Sequence, residues 1–360
     1  MQPFSLGKSD DQSEANVLIE LIAQLRQSLG ILQKQDIQTV ARMQAAAHLP
    51  AAAGHLVRVQ TGLKANPLAD QVLLGDDCAA IPDGDSYLLL AAEGILPMLV
   101  AAEPWFAGWC AVMVNVSDIY AMGGRPIAVV DTLWSQSLAQ SQPLLAGMQA
   151  AAQTYQVPIV GGHTNCHSPY DALSVAILGR AQRLITSFGA QVGDCLLVAI
   201  DLRGQPHPKY PFWNAATEAD PMQLRQDLAI LPELAEAGLC DAGKDISMGG
   251  IVGTLLMLLE TSGCGAMLNL DAIPCPADVP LDRWLTSFPS YGFLLSVRSH
   301  QVEAVQSKFE QRGLTCARVG QIDSTRQLQL QWQGETGLFW DLQQESLTGF
   351  APEAQPCPVL

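Results

Sequence analysis

Five short segments carry the residue types that could do chemistry. Gly75-Asp76-Asp77-Cys78 follows the apolar run Val72–Leu74. Adjacent carboxylates repel, and each raises the other's pKa. A hard divalent cation reverses that cost, because it takes oxygen ligands. An acidic turn in a solvated loop would explain the pair equally well. The run LLLAAEG (88–94) places Glu93 at the end of what reads as a strand buried on both faces. Such rims are where α/β proteins build sites, although an ordinary exposed strand end also fits. In WCAVMVNVSDIYAMGG (109–124), Asn115 and Asp118 interrupt an apolar helix and stand three apart, on one face. Buried there, they need partners. A metal or phosphate supplies them, or local hydrogen bonds do. In IVGGHTN (159–165), the paired Gly161 and Gly162 allow close approach of an anion to backbone. His163, Cys166 and His167 are too tightly spaced to meet one transition metal easily. Finally, Asp245-Ile246-Ser247-Met248-Gly249-Gly250 opens a helix. That is an anion-friendly N-terminus, or simply a capping sequence.

The elements that must position these residues alternate in type. Apolar spacing predicts a helix over 14–47, punctuated by Pro50 and Gly54, within an extension spanning 1–54. Residues 55–185 read as strands (72–74, 87–92, 127–133, 157–160, 173–178) around two helices, 106–122 and 138–155. A second mixed segment runs over 186–350. It has strands near 195–200 and 293–297 and helices over 224–237, 250–261 and 302–312. Residues 203–222, rich in Pro, Gly and aromatics, read as a surface insertion, and 351–360 as a tail. The fold class is mixed α/β (α+β).

Composition narrows the partners. The chain has 360 residues, 49% hydrophobic and 15% charged, enough for two domains with large cores. A net charge of −16 opposes binding to nucleic acid or an anionic membrane. Nine scattered cysteines form no Cys-x-x-Cys pair, which fits reduced thiols in a cytoplasmic protein. The polar, acidic start does not read as a signal peptide, and no apolar run has membrane-spanning length.

Taken in order, GDDCAAI, LLLAAEG, WCAVMVNVSDIYAMGGRPIAV, PIVGGHT, DISMGG and SGCGAMLNLDAIP resemble the PurM-like superfamily. That superfamily includes aminoimidazole ribonucleotide (AIR) synthase, thiamine-monophosphate kinase, selenophosphate synthetase and HypE-type maturation proteins. The resemblance covers about 55–300. It implies N-terminal (55–185) and C-terminal (186–350) AIR-synthase-like domains, a homodimer joined through the N-terminal domains, and ATP in an acidic groove with Mg²⁺. It implies metal ligation by Asp76, Asp77, Glu93 and Asp118. Nucleotide contacts would come from Asp76, Asp77, Gly161, Gly162, Asp245, Gly249 and Gly250, and catalytic roles would fall to Asn115, Asp118 and His163. Lys64 is a candidate phosphate-neutralising charge. Three departures stand out: Glu93 for the usual Asp, His163 where the kinases have Asp, and Met248 where most members have Asp or Gly. The implied activity is ATP-dependent phosphoryl transfer to, or activation of, a small-molecule substrate. A thiamine-monophosphate-kinase-like activity and a non-catalytic binding scaffold are the alternatives.

Overall fold

The computed structural model describes residues 14–47, 56–58 and 71–351. Alternating burial along Ala172–Ala181 marks a strand with one covered face, and this strand is the centre of a five-stranded sheet. The order is Ala79–Asp83, Ser86–Gly94, Ala172–Ala181, Arg125–Trp134, Ile159–Asn165. Only the last two strands pair in parallel. Helices Pro104–Ala121 and Leu138–Tyr155 cover one face and touch through glycines. A Cβ on Gly108 would lie 2.0 Å from the Leu144 carbonyl oxygen, and one on Gly147 1.9 Å from that of Trp105. Pro104 starts its helix where no N–H partner is needed. Gly123, at φ +71°, turns the chain away after it.

The second half is a seven-stranded sheet ordered Ala242–Asp245, Gly292–Val297, Cys195–Ile200, Thr315–Asp323, Gly265–Asn269, Gln327–Trp332, Glu335–Asp341. Cys195–Ile200 is buried at every position, as an interior strand should be. The almost wholly buried helix Gly250–Ser262 packs on Ala242–Asp245 and Gly292–Val297. Its Glu260 is also buried and accepts backbone bonds from Leu347 (2.9 Å), Thr348 (2.8 Å) and Gly349 (3.2 Å).

Several sequence expectations change. The helix expected over 14–47 is two helices, Glu14–Arg26 and Leu29–Ala47. They break at Gln27-Ser28, where the Ser28 carbonyl accepts the first bonds of the second helix. Both dock on the C-terminal half. Leu18, Leu21 and Leu25 are buried in its core, and Arg26 Nη1 donates to the Phe339 carbonyl at 3.0 Å. The 224–237 helix divides into Pro221–Leu228 and Ile230–Glu236. Residues 203–222 are not a loose surface insertion. Gln205–Pro206 and Phe212–Asn214 join Phe288–Pro289 in a small sheet, and buried Trp213 donates its indole N–H to the Asp201 carbonyl at 2.8 Å. The strands Ala79–Asp83, Ala242–Asp245, Gly265–Asn269, Thr315–Asp323, Gln327–Trp332 and Glu335–Asp341 were not picked out from sequence, although QLQLQW (327–332) alternates strictly. Among the described residues, no helix is long and apolar enough to cross a membrane.

Candidate functional site

The loop after Gln71–Leu73 brings Asp76 and Asp77 from the first half against the second. Gly75 adopts φ +104°, and a Cβ there would meet the Phe350 ring at 2.7 Å, so a side chain is excluded twice over. Asp76 Oδ2 accepts the Ser187 N–H at 2.8 Å, and its Oδ1 accepts the Asp77 N–H at 3.0 Å. Asp77 Oδ2 accepts the Asp245 N–H at 3.2 Å. Lys244, buried in the Ala242–Asp245 strand, is ion-paired with Asp77 and lies 3.5 Å from Asp76 Oδ1. Burial alone would pull its pKa down, but the two aspartates more than offset that and hold it above the usual lysine range. The two halves are thus pinned together by a buried, hydrogen-bonded ion cluster.

Asp118 stands opposite, on the buried face of the Pro104–Ala121 helix. Among the described residues its Oδ2 has no hydrogen-bond partner, nor does Asn115 Oδ1 one turn earlier. Asn115 spends its amide on the Ala111 carbonyl at 2.8 Å, the local bond expected of a polar residue inside a helix. Burial, then the charges of Asp245, Glu93 and Asp77, raise the Asp118 carboxyl well above the carboxylate range. Burial and Asp77 push Asp245 up to about 8. Burial pushes Asp76 up to about 6 and also raises Glu93.

Two cavities meet at this wall. The larger, about 470 Å³, is lined by Asp76, Asp77 and Lys244, with Leu73, Met257 and Phe350 around them. The smaller, about 140 Å³, is lined by Leu96, Leu99, Phe106, Trp109, Phe212 and Phe288. Lys34, Glu93, Asp118, Asp245 and Ser247 line both. His207 clamps the Gln205–Asn214 stretch over the smaller cavity. Its Nε2 lies 3.0 Å from Glu103, and its ring stacks 5.1 Å from Phe106.

Asp76, Asp77, Glu93, Asp118 and Asp245 therefore converge, while other sequence candidates do not. Gly161, Gly162 and His163 lie within the exposed edge strand, not in a loop after it. That strand is three strand spacings from Ser86–Gly94, about 14 Å. Register separates them further. Glu93 pairs with buried Val175, on the helix-covered face, whereas His163 pairs with Thr132, on the open face that Val130 and Leu178 share. His163 thus stands on the opposite face of the sheet from the acidic wall. Gly249 and Gly250 line neither cavity. Gly250, at φ +62°, is pressed against the Leu285 carbonyl, 2.1 Å from where a Cβ would be, so both glycines shape the helix start. Lys64 lies outside the described residues. Lys34, Lys244 and the aromatic wall were not picked out from sequence. The one available signal was a lysine, Lys244, inside the short apolar-flanked AGKD segment.

Among the described residues, no three His, Cys, Asp or Glu side chains are gathered closely enough to hold a metal ion unaided. Magnesium asks for less: one or two carboxylates, with waters and phosphate oxygens completing the shell. The partnerless Asp118 oxygen and the crowded carboxylates beside it suit that chemistry, since a cation would relieve their repulsion.

Family models for AIR synthase related proteins match the chain twice, the N-terminal domain over 75–181 and the C-terminal domain over 191–333. An uncharacterized protein of Synechocystis sp., sll0787, is 56% identical over 339 residues, 94% of this chain and all of the relative. The protein belongs to the AIR synthase-related family of the PurM-like superfamily. A thiamine-monophosphate kinase of Pyrococcus horikoshii is 29% identical to this AIR synthase-related protein, over 58% of the chain and 70% of the kinase. The solved structure of AaThiL complexed with AMPPCP and TMP superposes with a TM-score of 0.57 at 20% identity, covering 73% of this chain and 88% of that one. At that identity the likeness establishes the fold. The N-terminal family match begins at Gly75, the residue that opens the acidic loop.

Proposed function

We propose that this AIR synthase-related protein is a magnesium-dependent, ATP-using enzyme that transfers the terminal phosphoryl group to a small-molecule acceptor. The observation that carries the reading is the pair of cavities meeting at Glu93, Asp118 and Asp245. The larger cavity takes the nucleotide, and the smaller one the acceptor. Related proteins support this assignment, since one is a thiamine-monophosphate kinase and another was solved with AMPPCP and TMP. Asp118 and Glu93, with the Asp76-Asp77 loop, would hold Mg²⁺. The ion would neutralise charge that spreads over the phosphate oxygens in the transition state. The chain's own part is positioning: Lys244 and the Ser187 and Asp245 amides lock the loop, and the buried helix fixes Asp118. A cavity of about 150 Å³ with apolar walls accommodates benzene. The buried part of the acceptor is thus one apolar ring in size.

We also propose that two copies pair through the open face of the N-terminal sheet. Leu90, Val130 and Leu178 stand on that face exposed by 46%, 42% and 37%. Contiguous apolar patches of this kind mark interaction surfaces. His163 shares the face and so belongs at the pairing surface. The described cysteines are all free, which supports a cytoplasmic setting.

Calorimetric titration of the full chain with AMPPCP, with Mg²⁺ or EDTA, tests the nucleotide site, and ADP release in the presence of small ring alcohols tests transfer. Magnesium-dependent binding and acceptor-dependent ADP are expected. Absence of nucleotide binding would defeat the reading. Binding without ADP release would leave a scaffold.

A further inference from the structure

The N-terminal helices carry an unused charge to the junction of the two cavities. On Leu29–Ala47, residues Ile31, Lys34, Gln38 and Ala41 recur at spacings of three and four, on one helix face. That face lies on the C-terminal half. Ile31 and Ala41 are buried, and Gln38 Nε2 donates to the Ser346 carbonyl at 2.7 Å. Gly30 permits the approach: a Cβ there would stand 2.0 Å from the Met248 carbonyl oxygen. Lys34 is thus held by a docked helix rather than by a loose arm. It is half-buried, and among the described residues no carboxylate lies within ion-pairing distance of it. Its charge acts on Glu93 and Asp245, lowering both carboxyls against the rise caused by burial.

The charges around the junction are lopsided. Among the described residues, five carboxylates line the larger cavity, and its lysines are Lys34 and Lys244. Lys244 is committed to Asp77 and Asp76. Among the described residues, the smaller cavity has no cation except Lys34. Among the described residues, Lys34 is the cation at the shared wall left free to meet the phosphates of a nucleoside triphosphate.

We infer that Lys34 binds the terminal phosphate of the nucleotide, making the N-terminal helix pair part of the active site. The inference rests on the nucleotide site proposed above. Lys34 would donate from its ammonium group to a terminal phosphate oxygen. It would hold that group at the junction, where the acceptor of the smaller cavity meets it.

The test compares full-length wild type, Lys34→Gln and Lys34→Arg by calorimetric titration with Mg-AMPPCP and Mg-ADP. A charge-assisted hydrogen bond to the terminal phosphate predicts that Lys34→Gln weakens AMPPCP binding on the order of tenfold or more. ADP affinity should change by less than about threefold, and Lys34→Arg should restore part of the difference. Lys34→Met, which keeps the alkyl stem, replaces Lys34→Gln if the latter fails to fold. Unchanged AMPPCP affinity in the neutral variant overturns the inference and leaves the nucleotide site standing. Equal losses for AMPPCP and ADP overturn the terminal-phosphate role. Failure of wild type to bind either nucleotide removes the proposed function itself, and this inference with it.

Discussion

The carboxylate wall should make the metal-free protein lose stability as pH rises, and Asp245→Asn should remove part of that loss. Burial first, and then Asp77, raise Asp245 from 3.8 to about 8. A carboxyl whose folded pKa is raised holds its proton more tightly in the folded state. Its contribution is fully present below about pH 4 and is lost as pH climbs through the folded pKa. For Asp245 the window runs from pH 4 to about 8, and four pKa units correspond to roughly 6 kcal/mol as a ceiling. Asp76, raised from 3.8 to about 6, adds a second loss of roughly 3 kcal/mol, complete by near neutrality. Asparagine keeps the shape of Asp245 and carries no charge. The assay is the thermal midpoint in EDTA from pH 5 to 8.5, for wild type and variant together. Self-repulsion from the net charge of −16 lowers both curves, so the difference between them isolates the site. Realising a third of the ceiling, about 2 kcal/mol, would separate the midpoints by roughly 3 °C at pH 8.5 for a chain of 360 residues. The gap should close toward pH 5, and Mg-ATP should flatten the wild-type slope. Parallel curves, or a wild type that gains stability across this range, would refute the account of Asp245 as a charge held against burial.

Asp118→Asn should lower ATP turnover by roughly 100-fold or more, because it replaces the partnerless buried carboxyl that a magnesium ion would ionise and engage. Circular dichroism should show an unchanged fold, and near-normal turnover would take Asp118 out of the site. Lys244→Met should destabilise the protein by about 3–5 kcal/mol, since it leaves Asp77 and Asp76 buried beside each other without a cation. Adding Asp77→Asn to it should recover part of that loss in the same denaturation assay. Leu178→Arg, on the open sheet face, should convert a dimer to a monomer in light scattering with the melting midpoint little changed.

Much of this architecture was legible because it is local. The apolar helix with Asn115 and Asp118 three apart announces buried polar groups in its own spacing, and the two aspartates announce theirs by adjacency. The structure sustains the first only in part: Asp118 faces the cavities, while Asn115 turns its amide back onto its own helix. Illegible positions depend on packing between distant segments. Lys34 and Glu93 are 59 positions apart, and Lys34 and Asp245 are 211 apart. They meet only because Gly30 lets one helix settle on the Met248 carbonyl. Lys244 reads as an ordinary surface charge until its strand pairs with Gly292–Val297 and carries it inside. His163 fails for a subtler reason. Its segment extends the expected strand rather than following it, and a strand's side chains alternate between faces, so a site argument needs register as well as proximity. Pairing with Thr132 puts His163 on the face opposite Glu93. The residues flanking it on Ile159–Asn165, Gly162 and Thr164, pair with Asp131 and buried Leu133 and so stand on the helix-covered face. The same parity that takes His163 away from the acidic wall sets it on the open apolar face, the face proposed above for pairing.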